Sequence, residues 1–94
     1  MNLTSFKESI TANTVPPQAS VYLQALWHDA KGDWKKAHDL IQDLPDENAA
    51  WIHAYLHRKE GDDWNADWWY RKAGRKRPAL SLQEEWEQLT TAFL

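Results

Sequence analysis

Apolar residues recur every three or four positions along most of the chain, which is the spacing of α-helices. Leu3, Phe6 and Ile10 mark a first helix, and this helix ends before Pro16 and Pro17 because paired prolines cannot continue a helix. No stretch alternates apolar and polar residues for long enough to predict a strand. The pattern therefore predicts an all-α chain of about five to six helices.

Four further helices are predicted between Pro17 and Pro78, over residues 17–31 and 34–43, over 47–60, and from Asp62 to about Ala73. The 47–60 helix is apolar almost all round, as expected of a central helix. Ser81 and Glu84 have the spacing of a capping box, which predicts a last helix over residues 81–93 with one buried face.

Two of these helical pairs repeat. The segment Ala25-Leu26-Trp27-His28 matches Ala54-Tyr55-Leu56-His57, and Gly32-Asp33 matches Gly61-Asp62 at the same offset of about 29 residues. A period of this length is typical of stacked helical hairpins. We predict one domain, residues 1–94, with hairpin repeats at about 18–45 and 47–78, flanked by an N-terminal helix and a C-terminal capping helix.

The second repeat is similar to a tetratricopeptide repeat. The matching residues are Ala54, His57, Gly61-Asp62, Ala66, Tyr70, Ala73 and Pro78. Alanines let the paired helices approach closely while bulkier residues fill the space beyond. The first copy matches less well, since Ile41 and Leu44 replace the later aromatic residue and alanine. The resemblance implies a right-handed array of antiparallel helical hairpins. The chain also resembles a group of small uncharacterised bacterial proteins that share WHDAKGDW and HAYLHRKEGD, a resemblance that implies no function.

In tetratricopeptide arrays the first helix of each repeat lines an inner groove, which implies a groove here formed by Tyr22, Leu26, Asp29, Trp51, Tyr55, Arg58 and Lys59. Aromatic residues combined with arginine are typical of protein-binding surfaces. We therefore expect a non-catalytic protein–protein interaction or scaffold module, with a protein, a peptide or a second copy of the chain as partner. In the alternative interpretation a terminal helix covers these residues.

His53, His57 and Glu60 lie at i, i+4 and i+7 on one helix face, a spacing that can hold a transition metal. A metal- or small-ligand-binding protein that uses His53 and His57 is the alternative function. The sequence HAYLH lacks the glutamate of the HExxH motif, so metal-assisted hydrolysis has no base here. His28 and His57 hold matching positions in the two repeats, either as packed residues or as a pH-responsive pair.

A basic cluster is present at the end of the fourth predicted hairpin helix, at Arg71, Lys72, Arg75, Lys76 and Arg77. Cations there complement the helix dipole. The functional alternative is an anion-binding site for an acidic peptide, a phosphate or nucleic acid. The net charge of −3 does not favour a nucleic-acid partner.

Composition narrows the remaining function classes. The 94 residues include seven tryptophans and no cysteine, which excludes disulfides and thiol chemistry and suits a cytoplasmic location. No apolar stretch approaches the roughly 20 residues that span a bilayer. Neither a phosphate-binding glycine loop nor a serine nucleophile motif is present. We expect no enzyme activity and no cofactor.

Overall fold

In a computed structural model, which describes Met1–Leu94, the chain forms six α-helices and no strand. The helices are α1 (Leu3–Thr11), α2 (Val21–Ala30), α3 (Trp34–Ile41), α4 (Glu47–Lys59), α5 (Asp63–Lys72) and α6 (Leu82–Phe93). The predicted all-α fold class is confirmed, and so is the number of helices.

Each helix begins after a residue whose side chain accepts a backbone N–H of the first turn, namely Asn2, Ser20, Asp33, Asp46, Asp62 and Ser81. Such caps satisfy donors that have no partner inside the helix. The predicted capping box of Ser81 with Glu84 is present. The predicted start of α2 at Pro17 is wrong, because the Ser20 cap begins the helix at Val21 and the prolines lie in the preceding turn.

The two Gly-Asp turns have the same backbone geometry. Gly32 and Gly61 have φ of 85° and 86°, a left-handed conformation that glycine adopts at no steric cost. Asp33 N–H donates to the His28 carbonyl, and Asp62 N–H donates to the His57 carbonyl. The two turns that match in the sequence therefore also have the same backbone conformation.

Helix α4 lies at the centre of the fold, with every residue from Ala49 to His57 buried. The closest helical neighbours are α2 with α3 and α4 with α5. Ala25, Ala37, Ala54 and Ala66 are all fully buried, as small residues between closely packed helices should be. Helix α6 packs across α2 and α4, and α1 packs against α6.

Candidate functional site

The predicted groove is filled by α6. The Trp86 Nε1–H donates to the Leu26 carbonyl at 3.0 Å. Phe93 stacks on Tyr22 at 5.0 Å between ring centroids and packs against Trp51 at 5.9 Å. Of the seven predicted groove residues, four are buried: Leu26, Asp29, Trp51 and Tyr55. The interpretation in which a terminal helix covers the groove is the one that the structure supports.

A buried carboxylate fixes α6 in this position. Glu85 is fully buried and accepts hydrogen bonds from Arg58 Nη1 at 2.8 Å and from the Tyr70 hydroxyl at 2.7 Å. Trp51 Nε1 donates to the same carboxylate at 3.4 Å, and Arg58 also donates to the Leu80 carbonyl. Burial and the Glu85 hydrogen bond raise the pKa of Tyr70 far above its usual value. Arg58 therefore forms its hydrogen bonds within the fold, with Glu85 and the Leu80 carbonyl, and not with a partner in the groove.

Asp29 forms a second buried polar cluster at the edge of α6. It accepts the Tyr55 hydroxyl at 3.1 Å and pairs with Lys59 Nζ at 2.9 Å. These three residues line a pocket of about 330 Å³ together with residues of α1 and α6. The pocket is the only remaining part of the predicted groove, and its floor carries polar groups that are already paired.

Three histidines meet between α3 and α4. His38 Nε2 and His53 Nε2 are 2.9 Å apart and share a hydrogen bond. One ring nitrogen from each of His38, His53 and His57 lies within 4.8 Å of the others. Glu60 contacts His57 Nδ1 at 2.6 Å, so this carboxylate binds the back of the ring. The sequence predicted His53, His57 and Glu60 together, but the third nitrogen beside His53 and His57 comes from His38.

Tryptophan side chains stack on two of the three rings of this triad. Trp69 stacks on His53 with 3.8 Å between centroids, and Trp34 stacks on His38 at 4.8 Å. Burial, with smaller effects of the neighbouring imidazoles, lowers the pKa of His53 to about 3. Burial also lowers the pKa of His38, with a further effect of His57. His38 and His53 are therefore neutral at physiological pH.

His28 lies apart from this triad. Its ring packs edge-on against Trp27 at 5.1 Å and has no contact with His57, so the two matching histidines do not form a pair. Sequence reasoning missed His38 because the second repeat has Asp67 at the matching position, so the repeat did not single this residue out. The signal was available in the packing face of α3, where Ala37 and Ile41 are buried beside it.

The five residues of the basic cluster differ in the contacts that they form. The Arg75 guanidinium stacks on Trp51, with 3.4 Å to the ring centroid. Arg77 pairs with Asp63 at 2.7 Å and with Asp67 at 3.0 Å. Arg71, Lys72 and Lys76 form no ion pair. Four of the five charges of the predicted anion site, all except Arg77, therefore have no ion-pair partner.

The outer face of α5 exposes large aromatic residues. Trp64 is 80% exposed and Trp68, one helical turn further on, is 42% exposed. Lys72 Nζ lies 5.3 Å from the centroid of the Trp68 ring, within the range of a cation–π contact. We refer to Trp64, Trp68, Arg71 and Lys72 as the α5 face.

No protein-family model, curated protein or solved structure matches the chain. None of the six helices has the length and apolar character needed to cross a lipid bilayer.

Proposed function

We propose that the chain is a non-catalytic protein-interaction module, built as a tetratricopeptide-like array of helical hairpins, whose contact surface is the α5 face. The equal φ values of Gly32 and Gly61 and the buried alanines of both pairs support the hairpin repeat. The groove normally used by such arrays is occupied by the chain's own α6, so a partner has to bind elsewhere.

The single observation that carries the proposal is the 80% exposure of Trp64 beside the partly exposed Trp68. Burying a tryptophan of this size stabilises a contact strongly, and tryptophan and arginine are the residues most enriched at the energetic centres of protein interfaces. The other five tryptophans all lie in the core or pack against it, so Trp64 and Trp68 are the two exposed tryptophans of the chain.

The occupant that the charge pattern favours is a second copy of the chain. Asp62 at the start of α5 is exposed and forms no ion pair, and neither do the cations at its end, Arg71 and Lys72. In an antiparallel two-fold pairing, the acidic end of one α5 lies opposite the basic end of the other, and Trp64 lies opposite Trp68 of the partner. Two-fold interfaces use one self-complementary surface in this way.

Sedimentation equilibrium tests this pairing. We expect the wild-type chain to form a dimer that weakens as salt rises, because exposed charge pairs are screened. Trp64→Ala should shift the equilibrium to monomer, and Arg71→Glu should weaken the dimer. Leu82→Ala, which removes an exposed apolar side chain from α6, is the matched control and should leave the dimer unchanged.

A photo-crosslinking amino acid at position 64 separates the two kinds of partner. Crosslinks between copies of the chain support the dimer. Crosslinks to a different protein in the source cell support the interaction module but reject self-pairing. A wild-type chain that stays monomeric and gives no crosslink at position 64 rejects the α5 face as a contact surface.

A further inference from the structure

We infer that His38, His53 and His57 form a binding centre for one Zn²⁺ ion, with the fourth coordination position left to water. This inference is independent of the α5 face, because the triad lies between α3 and α4, on residues that the proposed contact does not use. Its basis is the convergence of three imidazoles from two helices at one point.

The distances are close to those of a bound ion. Zinc binds histidine nitrogen at about 2.0–2.1 Å, so two nitrogens in a tetrahedral site are about 3.3–3.4 Å apart. His38 Nε2 and His53 Nε2 are 2.9 Å apart, and the third nitrogen lies within 4.8 Å of both. To complete the geometry, the first pair has to separate by about 0.4 Å and the His57 nitrogen has to approach by up to about 1.5 Å.

Glu60 supplies the support that such ligands usually have. Metal-binding histidines commonly direct their other ring nitrogen to a carboxylate, which orients the ring and raises its basicity. The 2.6 Å contact of Glu60 with His57 Nδ1 does this and leaves Nε2 as the nitrogen of His57 that is free to bind a metal. Glu60 is thus a positioning residue here, whereas the spacing of the sequence suggested a ligand.

The rigidity of the site favours binding. Tryptophans stack on two of the three rings, Trp34 on His38 and Trp69 on His53, and so hold them in place. His53 and His57 lie one turn apart on α4, in the most buried stretch of the chain. Three nitrogen ligands and no thiolate suit Zn²⁺ over cations that prefer oxygen, such as Mg²⁺ and Ca²⁺.

Isothermal titration of the EDTA-treated chain with ZnCl₂ tests the site. We expect one ion per chain, and at least a 100-fold loss of affinity in His38→Gln. His28→Gln is the matched control, since His28 is the one histidine outside the triad, and it should bind as the wild type does. Glu60→Gln should weaken binding by roughly 10–100-fold, as expected for loss of a supporting carboxylate.

A wild-type measurement covers the case in which His38→Gln fails to fold, which circular dichroism will show. Nitrogen-15 spectra of the histidine rings should shift on addition of one equivalent of ZnCl₂ for His38, His53 and His57 and not for His28. Absence of binding at excess zinc, an equal loss in His28→Gln and His38→Gln, or ring shifts confined to other residues would overturn the inference.

Discussion

The indole of Trp69 lies against the imidazole of His53, with 3.8 Å between the ring centroids and 21° between their planes. The stack joins α5 to α4 and keeps a histidine 5% exposed in the interior of a small domain. It also places that histidine beside His38, which approaches from α3. The stack lies within the second helical pair, and the hydrogen bond between His53 and His38 connects that pair to the first.

Stability of the metal-free chain should fall as the pH is lowered from neutrality. The pKa of His53 is about 3 in the folded chain and 6.5 for a free side chain, so below pH 6.5 the unfolded chain binds a proton that the folded chain excludes. The contribution of His53 to the free energy of unfolding is therefore fully present above pH 6.5 and decreases as the pH falls towards 3. His53 contributes a slope of at most about 1.4 kcal/mol per pH unit.

Urea unfolding between pH 7 and pH 5 measures this slope. His53→Gln should flatten it, whatever the variant's stability at pH 7. His38 adds to the wild-type slope in the same direction, since burial lowers its pKa as well. An identical slope in wild type and His53→Gln would show that His53 takes up its proton without unfolding.

Replacing Glu85 should destabilise the domain strongly. Glu85→Gln leaves the Arg58 guanidinium in the interior without its counter-charge, and breaking a buried ion pair costs about 3–5 kcal/mol. Glu87→Gln, on the exposed side of the same helix, removes a surface pair with Lys7 and should destabilise the domain much less. Urea midpoints of the two variants give the comparison. Similar midpoints would show that Glu85 does not hold α6 in place.

Thr90→Val should make the chain more stable. The Thr90 hydroxyl is the one buried side-chain polar atom that has no hydrogen-bond partner, and burying such a group costs about 1–3 kcal/mol. Valine has nearly the same shape, so we expect a gain of about 1 kcal/mol in the free energy of unfolding. Thr91→Val, at the neighbouring exposed position, should change it by less than about 0.5 kcal/mol. A loss of stability in Thr90→Val would mean that the hydroxyl is bonded after all.

Gly32→Ala and Gly61→Ala should be equally destabilising. Both glycines have left-handed backbones and open space around the missing Cβ, so the cost is conformational only. We expect about 1–2 kcal/mol for each, from the left-handed conformation of an L-residue. Thermal or urea unfolding measures both. Clearly unequal costs would contradict the equivalence of the two turns.

Several features of the fold could be read directly from short stretches of sequence. The Gly-Asp turns and the Ser81–Glu84 capping box follow from hydrogen bonds between residues no more than five positions apart. The error at Pro17 arose because a proline that can begin a helix competed with Ser20, and the better cap determined the start. The central position of α4 also followed from its apolar surface.

The candidate sites could be predicted only in part. His53 and His57 share a helix face by their spacing alone, but His38 joins them through the packing of α3 on α4. The groove residues were identified as one surface, and whether it is open depended on a segment far away in the chain.

The sequence by itself determined the helices, the turns and the repeat, because hydrogen bonds and side-chain periodicity act over a few residues. The apolar stripe of Leu82, Trp86, Leu89 and Phe93 predicts that α6 has a buried face, but it does not specify the surface that the face covers. Only the tertiary structure decided that α6 closes the groove, that Glu85 meets Arg58 and that three histidines converge. These contacts join residues distant in the chain, and their partners depend on how all six helices fill the core together.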